Sequence, residues 1–134
     1  MNEEIARKVN EMRAMEARAQ YVERQLETIN ANISEFDIAK AAISEIDKID
    51  GELLVPIGAG ISLRMKIIDK ENALVRLGAG VVVEKKMPEL AKEMEKKRAE
   101  FVKLSETAQS ELDKIVDKLN ALQTEVGEMQ EQSE

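Results

Sequence analysis

A chain of 134 residues suffices for one ordinary domain, yet only 2% of it is aromatic while 35% is charged. Tryptophan, histidine and cysteine are absent, which removes disulfides, the usual zinc ligands and every His- or Cys-based nucleophile. The net charge of −7 argues against nucleic acid or an anionic membrane as partner. Abundant Ala, Glu, Lys, Leu and Arg read as coiled coil rather than as an aromatic-filled core. No apolar run approaches the ~20 residues of a membrane span, and the opening stretch from Met1 lacks the apolar centre of a secretion signal. The expectation is an intracellular, cytoplasmic protein.

A first helix is predicted over residues 3–50. Its apolar positions are Ile5, Val9, Met12, Met15, Ala19, Val22, Leu26, Ile29, Ile33, Phe36, Ala39, Ile43, Ile46 and Ile49. From Met15 to Phe36 the steps alternate four and three, the seam of a coiled coil. Consecutive steps of three, at Met12–Met15 and Phe36–Ala39, overwind it locally. Glu3–Arg7 and Glu4–Lys8 are spaced as i,i+4 pairs. Lys48 in the last turn and Gly51 after it supply a stop. Such a helix would run about 70 Å at ~1.5 Å per residue, so it needs a partner helix.

Residues 52–86 differ in kind. Val55 to Leu63 (VPIGAGISL) is echoed by Val75 to Val83 (VRLGAGVVV): an apolar run, a Gly-Ala-Gly break and a second apolar run. Alternating β-branched residues read as half-buried strands. Gly58 and Gly60, like Gly78 and Gly80, permit either a hairpin turn or a kink between hairpins. Ile61, Leu63, Met65 and Ile67 alternate with Ser62, Arg64 and Lys66, predicting one apolar face and one wet face. Asp69-Lys70-Glu71-Asn72 is a polar turn. So few strands are marginal alone, and their open edges invite other chains. The predicted assembly residues are Val55, Ile57, Gly58, Gly60, Ile61, Leu63, Met65, Val75, Leu77, Gly78, Gly80, Val81 and Val83.

A second helix is predicted over 88–131, with Pro88 at its first position and Glu89 and Glu93 near the positive end of its dipole. Its seam is Leu90, Met94, Phe101, Leu104, Ala108, Leu112, Ile115, Leu119, Leu122, Val126 and Met129. Lys97 interrupts that seam, and Leu104–Ala108–Leu112 is a four-four step. Glu93–Lys97 and Glu111–Lys114 are the spaced ion pairs. The strand block returns the chain, so an antiparallel pairing of the two helices is simplest; a homodimer or filament through one long helix is the alternative. The fold class is therefore α+β: a long antiparallel two-helix coiled coil around a small strand block, organised as one domain over 1–134.

This order, with LLVPIGAGISLRMKI and ALVRLGAGVVVEKK at its centre, resembles the alpha subunits of the archaeal prefoldin family across essentially the whole chain. The doubled strand–Gly-Ala-Gly–strand pattern is the specific part, since beta-type subunits of the family carry a single hairpin. The resemblance implies a hexamer of two alpha and four beta subunits, a β-barrel platform and six hanging coiled coils. It implies an ATP-independent holdase that captures non-native proteins and passes them to a group II chaperonin. Client contact in the family is at the arm tips, which match Met1, Ile5, Val9, Met12, Leu122, Val126 and Met129; alternatively these residues only continue the seam. Glu125, Glu128, Glu131 and Glu134 would keep such tips soluble.

Motifs for chemistry are missing. Each Gly-Ala-Gly begins like a dinucleotide fingerprint, but the third glycine and the following helix are absent. No Gly-Lys-Ser/Thr is present. No catalytic residue, metal or cofactor is expected. The alternative to a holdase is an assembly or filament protein whose arms space or tether partners.

Overall fold

The computed structural model describes residues 3–132, in the order α1 (Glu3–Ile46), β1 (Glu52–Gly58), β2 (Ile61–Lys66), β3 (Asn72–Gly78), β4 (Val81–Lys86) and α2 (Met87–Gln132). The chain forms two compact units. One comprises the N-terminal segment as far as Asn32 with the C-terminal segment from Glu100; the other is Ile33–Ala99.

In the first unit the helices run antiparallel, and Val22, Leu26 and Ala108 form a buried cluster flanked by Ile29, Leu112 and Ile115. Val22 is fully covered. Every apolar seam position predicted for α1 is at least half-buried, from Ile5 through Ile46. Asn30 lies opposite Ser105, whose Oγ sits 3.2 Å from the Asn30 Oδ1. Arg18 Nε donates to Glu111 at 2.8 Å, and Lys8 is paired with Glu125.

The α2 seam departs from expectation. Leu104 is 53% exposed, whereas Arg98 and Ser105 occupy half-buried seam positions. With those two included, the steps from Met94 through Arg98, Phe101, Ser105, Ala108 and Leu112 return to four and three. There is no interruption at Lys97 and no four-four step: apolar periodicity alone passes over two polar residues at a and d positions. The direct salt bridges of these charges run between elements: Lys8 to Glu125, Glu93 to Lys85 and Glu111 to Arg18, while Glu4 and Lys97 act on Lys8 and Glu93 along their own helices through charge alone.

In the second unit α1 stops at Ile46, short of residue 50. Lys48 and Ile49 donate to the carbonyls of Glu45 and Ile46 in a closing turn, and Gly51 adopts φ 79°. Lys48 therefore lies beyond the last turn. α2 begins at Met87, one residue before Pro88; proline is tolerated there because first-turn N–H groups lack helical acceptors anyway. Arg98 Nε donates to Asp37 Oδ1 at 2.6 Å, and Lys40 pairs with Glu95.

The strands form two separate antiparallel pairs, β1–β2 and β3–β4. Each Gly-Ala-Gly is a hairpin turn, which settles the question the sequence left open. Ala59 and Gly60 take φ 52° and 77°, and Ala79 and Gly80 take 49° and 77°. Two successive positive φ values are the turn whose twist matches antiparallel strands. The registers are equivalent twenty residues apart. Pro56↔Ser62 then Gly58↔Ile61 repeats as Arg76↔Val82 then Gly78↔Val81, with a bulge at the same place.

Burial makes the seam testable. Leu26→Ala is expected to lower the unfolding free energy by about 2–4 kcal/mol, and Leu104→Ala by under about 1 kcal/mol, as read from urea melts followed by circular dichroism.

Candidate functional site

Two places collect side chains that the chain itself leaves unfinished. The first is the strand block. Leu53↔Met65 and Val55↔Leu63 share one face of the first hairpin, and Val75↔Val83 the corresponding face of the second. Among the predicted assembly residues, Val55, Val75 and Val83 are half-buried, while Ile57, Ile61, Leu63, Met65, Leu77 and Val81 are exposed. The opposite faces are not purely wet, as the alternation predicts. Leu54 and Leu74 are the equivalent residues there, 67% and 76% exposed, and Val82 joins them. Among the described residues both faces of each two-stranded sheet carry exposed apolar side chains.

The linker between the hairpins is pinned to the start of α2 and to the turn after α1. Asp69 accepts from the backbone N–H of Glu71 at 2.8 Å and of Asn72 at 3.1 Å, and from the Asn72 side chain. Lys70 donates to the Ile49 carbonyl, and the Met87 N–H to the Glu71 carbonyl at 2.8 Å. Lys85 reaches Glu93 at 2.7 Å. The second hairpin is thus tied to the start of α2 and, through Lys70, to the turn that follows α1. Within this unit Ile68 projects fully into water.

The second place is the end of the first unit that holds the start of α1 and the close of α2. Ile5 and Val126 are buried; Val9, Met12, Leu122 and Met129 are half-buried. Val9, Met12 and Val126 line one cleft of ≈ 310 Å³ with Arg13, Glu16 and Gly127. These residues continue the seam in the chain as folded. Met1 and Glu134 lie outside the described residues. Lys8, hydrogen-bonded to Glu125, has its pKa raised above the usual lysine value.

Gly127 was not singled out from the sequence, although a lone glycine inside a helix is a visible signal: it costs about 1 kcal/mol relative to Ala. A Cβ built there meets nothing within 4 Å, so packing does not require the glycine. A further cleft, ≈ 550 Å³, lies in the first unit against Tyr21, Leu104 and Ala108. Arg18 stacks over the Tyr21 ring at 5.1 Å. Among the described residues no group of three or more His, Cys, Asp or Glu could hold a metal, and no helix is long and apolar enough to cross a membrane.

Two long helices joined through two β-hairpins define a coiled-coil protein with a small strand insert. The family model for the prefoldin subunit matches residues 15–132. Prefoldin subunit alpha of Pyrococcus horikoshii is 32% identical over 96% of this chain and 91% of its own length. That of Thermofilum pendens is 30% identical over 81% and 85%. The chain belongs to the prefoldin family, and with it to a class of chaperone cofactors. A filamentous PFD from Methanocaldococcus jannaschii, solved by cryo-electron microscopy, shares the fold at TM-score 0.69 and 19% identity, covering 87% of this chain and 98% of that one.

The Asp69 turn carries a pH signature. The Asn72 amide and the two backbone N–H groups hold its carboxyl below the usual Asp value. Because the folded pKa is depressed, the stabilisation is complete above the unfolded value near ~3.9 and is lost as pH falls through the folded one. The backbone amide shifts of Glu71 and Asn72 should titrate together with a midpoint below that of a free Asp. Asp69→Asn should abolish the titration.

Proposed function

We propose that the chain is an ATP-independent holdase subunit: its hairpins assemble with beta-type subunits into a β-barrel platform, and its helix ends hold non-native proteins for delivery to a group II chaperonin. The assembly is two alpha and four beta subunits. The observation that carries the assembly half is the run of exposed Ile57, Ile61, Leu63, Met65, Leu77 and Val81 on strands with open edges. At roughly 25 cal/mol per Å² of apolar surface covered, several such side chains supply much of the free energy of a stable interface.

The holding half rests on family membership and on the local physics of the helix ends. Terminal turns open at low cost, and Gly127 weakens α2 beside buried Val126. Opening that end would present Ile5, Val9, Leu122, Val126 and the adaptable methionines Met1, Met12 and Met129 to apolar client surface. Such a site reads exposed hydrophobicity and no sequence motif. No nucleotide is needed, because capture is binding without a chemical step.

A filament or spacer role is the second reading, favoured by the filamentous form of the Methanocaldococcus jannaschii relative. Light scattering of an unfolding client separates the two: a holdase suppresses aggregation without nucleotide, and a spacer does not. Changing Ile5, Val9, Leu122 and Val126 together to Ser should abolish suppression, and intact suppression would remove the helix ends from the mechanism. Gly127→Ala should stiffen the same end, raising the melting temperature while weakening suppression.

Assembly has its own test. Ile61 is 54% exposed in the single chain, so Ile61→Asp is tolerated there and costly only when a partner covers it. Ile61→Asp or Val81→Asp should lower the mass seen by native mass spectrometry with far-UV helicity retained; unchanged mass would contradict the assembly role.

A further inference from the structure

Asp50-Gly51 is the one place in the sequence where glycine follows an Asp or Asn. It lies in the joint between α1 and β1, past the turn closed by the Lys48 and Ile49 N–H groups and directly ahead of Glu52↔Lys66, the first pair of the β1–β2 ladder. Both residues are exposed. The Asp50 carboxylate has no ion pair and no hydrogen bond among the described residues. The Gly51 N–H likewise donates to nothing among them. A Cβ built on Gly51, at φ 79°, meets nothing within 4 Å, so the space beside that nitrogen is open.

The other aspartates lack this combination. Asp37, Asp113 and Asp117 lie within helices, where the next N–H is held by a carbonyl one turn back. Lys48, which follows Asp47, donates its N–H to the Glu45 carbonyl at 3.0 Å. The Asp69 carboxylate is engaged by the backbone N–H groups of Glu71 and Asn72 and by the Asn72 amide. Each of these aspartates is also followed by a residue whose side chain crowds the amide nitrogen.

We propose that Asp50-Gly51 is a site of self-modification, at which the aspartate of the folded chain is converted to isoaspartate. The Gly51 nitrogen attacks Cγ of the protonated Asp50 carboxyl. The C–N bond forms as the C–O bond breaks, and the carboxyl OH leaves with the amide proton as water, closing a five-membered succinimide. Water then adds back to one of the two ring carbonyls. Opening at Cγ restores aspartate. Opening at the main-chain carbonyl leaves the chain running through Cβ and Cγ, with the α-carboxylate as a side branch. No oxidant, reductant or catalyst enters. The product lengthens the α1–β1 joint by one main-chain atom and displays a carboxylate of the class that isoaspartyl carboxyl methyltransferases accept.

The test ages the full chain in warm buffer and then digests it with trypsin. Cleavage after Lys48 and Arg64 releases Ile49–Arg64, while Ala41–Lys48 and Ile67–Lys70 carry Asp47 and Asp69 as internal references. A second chromatographic peak of unchanged mass should grow for Ile49–Arg64 several-fold faster than for either reference, preceded by a species lighter by one water. Isoaspartyl methyltransferase with labelled S-adenosylmethionine should label the same peptide. Asp50→Glu requires a six-membered ring and should abolish both signals. Gly51→Ala should slow them several-fold, because a methyl group then crowds the nitrogen; circular dichroism checks that each variant folds. The aged chain should keep its far-UV helicity, since the added atom falls outside α1 and ahead of the first ladder pair. A folded chain that yields no second peak overturns the proposal, whether or not the same chain in urea yields one. So does isomer formed equally in the reference peptides, or label that survives Asp50→Glu. Helicity lost in step with the new peak places the reaction in unfolded molecules and overturns it too.

Discussion

A sheet of two strands has no inside. Each hairpin presents two faces and two edges, and Leu54, Ile57, Leu74 and Leu77 stand exposed to water among the described residues. The rest of the molecule follows from that constraint. Contiguous apolar side chains on open strands mark a surface suited to a partner. The buried apolar residues lie on the helices, in a narrow seam, and none lies on the strands.

The seam shows how little burial a paired helix needs when its register is regular. Ile5, Val22, Leu26, Ala108 and Val126 are the buried apolar residues of the described chain, and all lie on α1 or α2. Beyond Leu26 on α1 and before Ala108 on α2, Asn30 meets Ser105 and Asp37 meets Arg98, the pairs spaced seven residues apart on each helix. Polar residues at seam positions weaken packing but fix alignment, because a slipped register would leave them without partners. The exposed pairs around them add little stability singly, since solvent and salt screen them.

Much of this was legible in the residues. The α1 seam from Ile5 to Ile46, the strand limits near the two Gly-Ala-Gly breaks and the polar Asp69 turn all follow from periodicity and local turn chemistry. Three features escaped for physical reasons. Arg98 and Ser105 hold seam positions without being apolar, so apolar periodicity points to Leu104 in their place. The i,i+4 spacing of Glu93 and Lys97 is real, but Lys85 is a nearer partner that only folding supplies. Helix α1 ends before Lys48 because its closing turn and Gly51 redirect the backbone earlier than composition indicates. Of the candidate client residues, spacing alone put Ile5, Val9, Met12, Leu122, Val126 and Met129 on the seam; spacing says nothing about when that seam opens.

The nested pairing of α1 with α2 also sets an order of events in time. Each hairpin closes across two residues, whereas the ion pairs joining the helices span 55 residues at Lys40–Glu95, 61 at Asp37–Arg98, 93 at Arg18–Glu111 and 117 at Lys8–Glu125. Contacts near in sequence form fastest, and each one shortens the loop that the next must close. Loop closure alone favours an order that starts at the hairpins and runs along the helices toward the chain ends, with the turns around Ile5 and Val126 closing the longest loop.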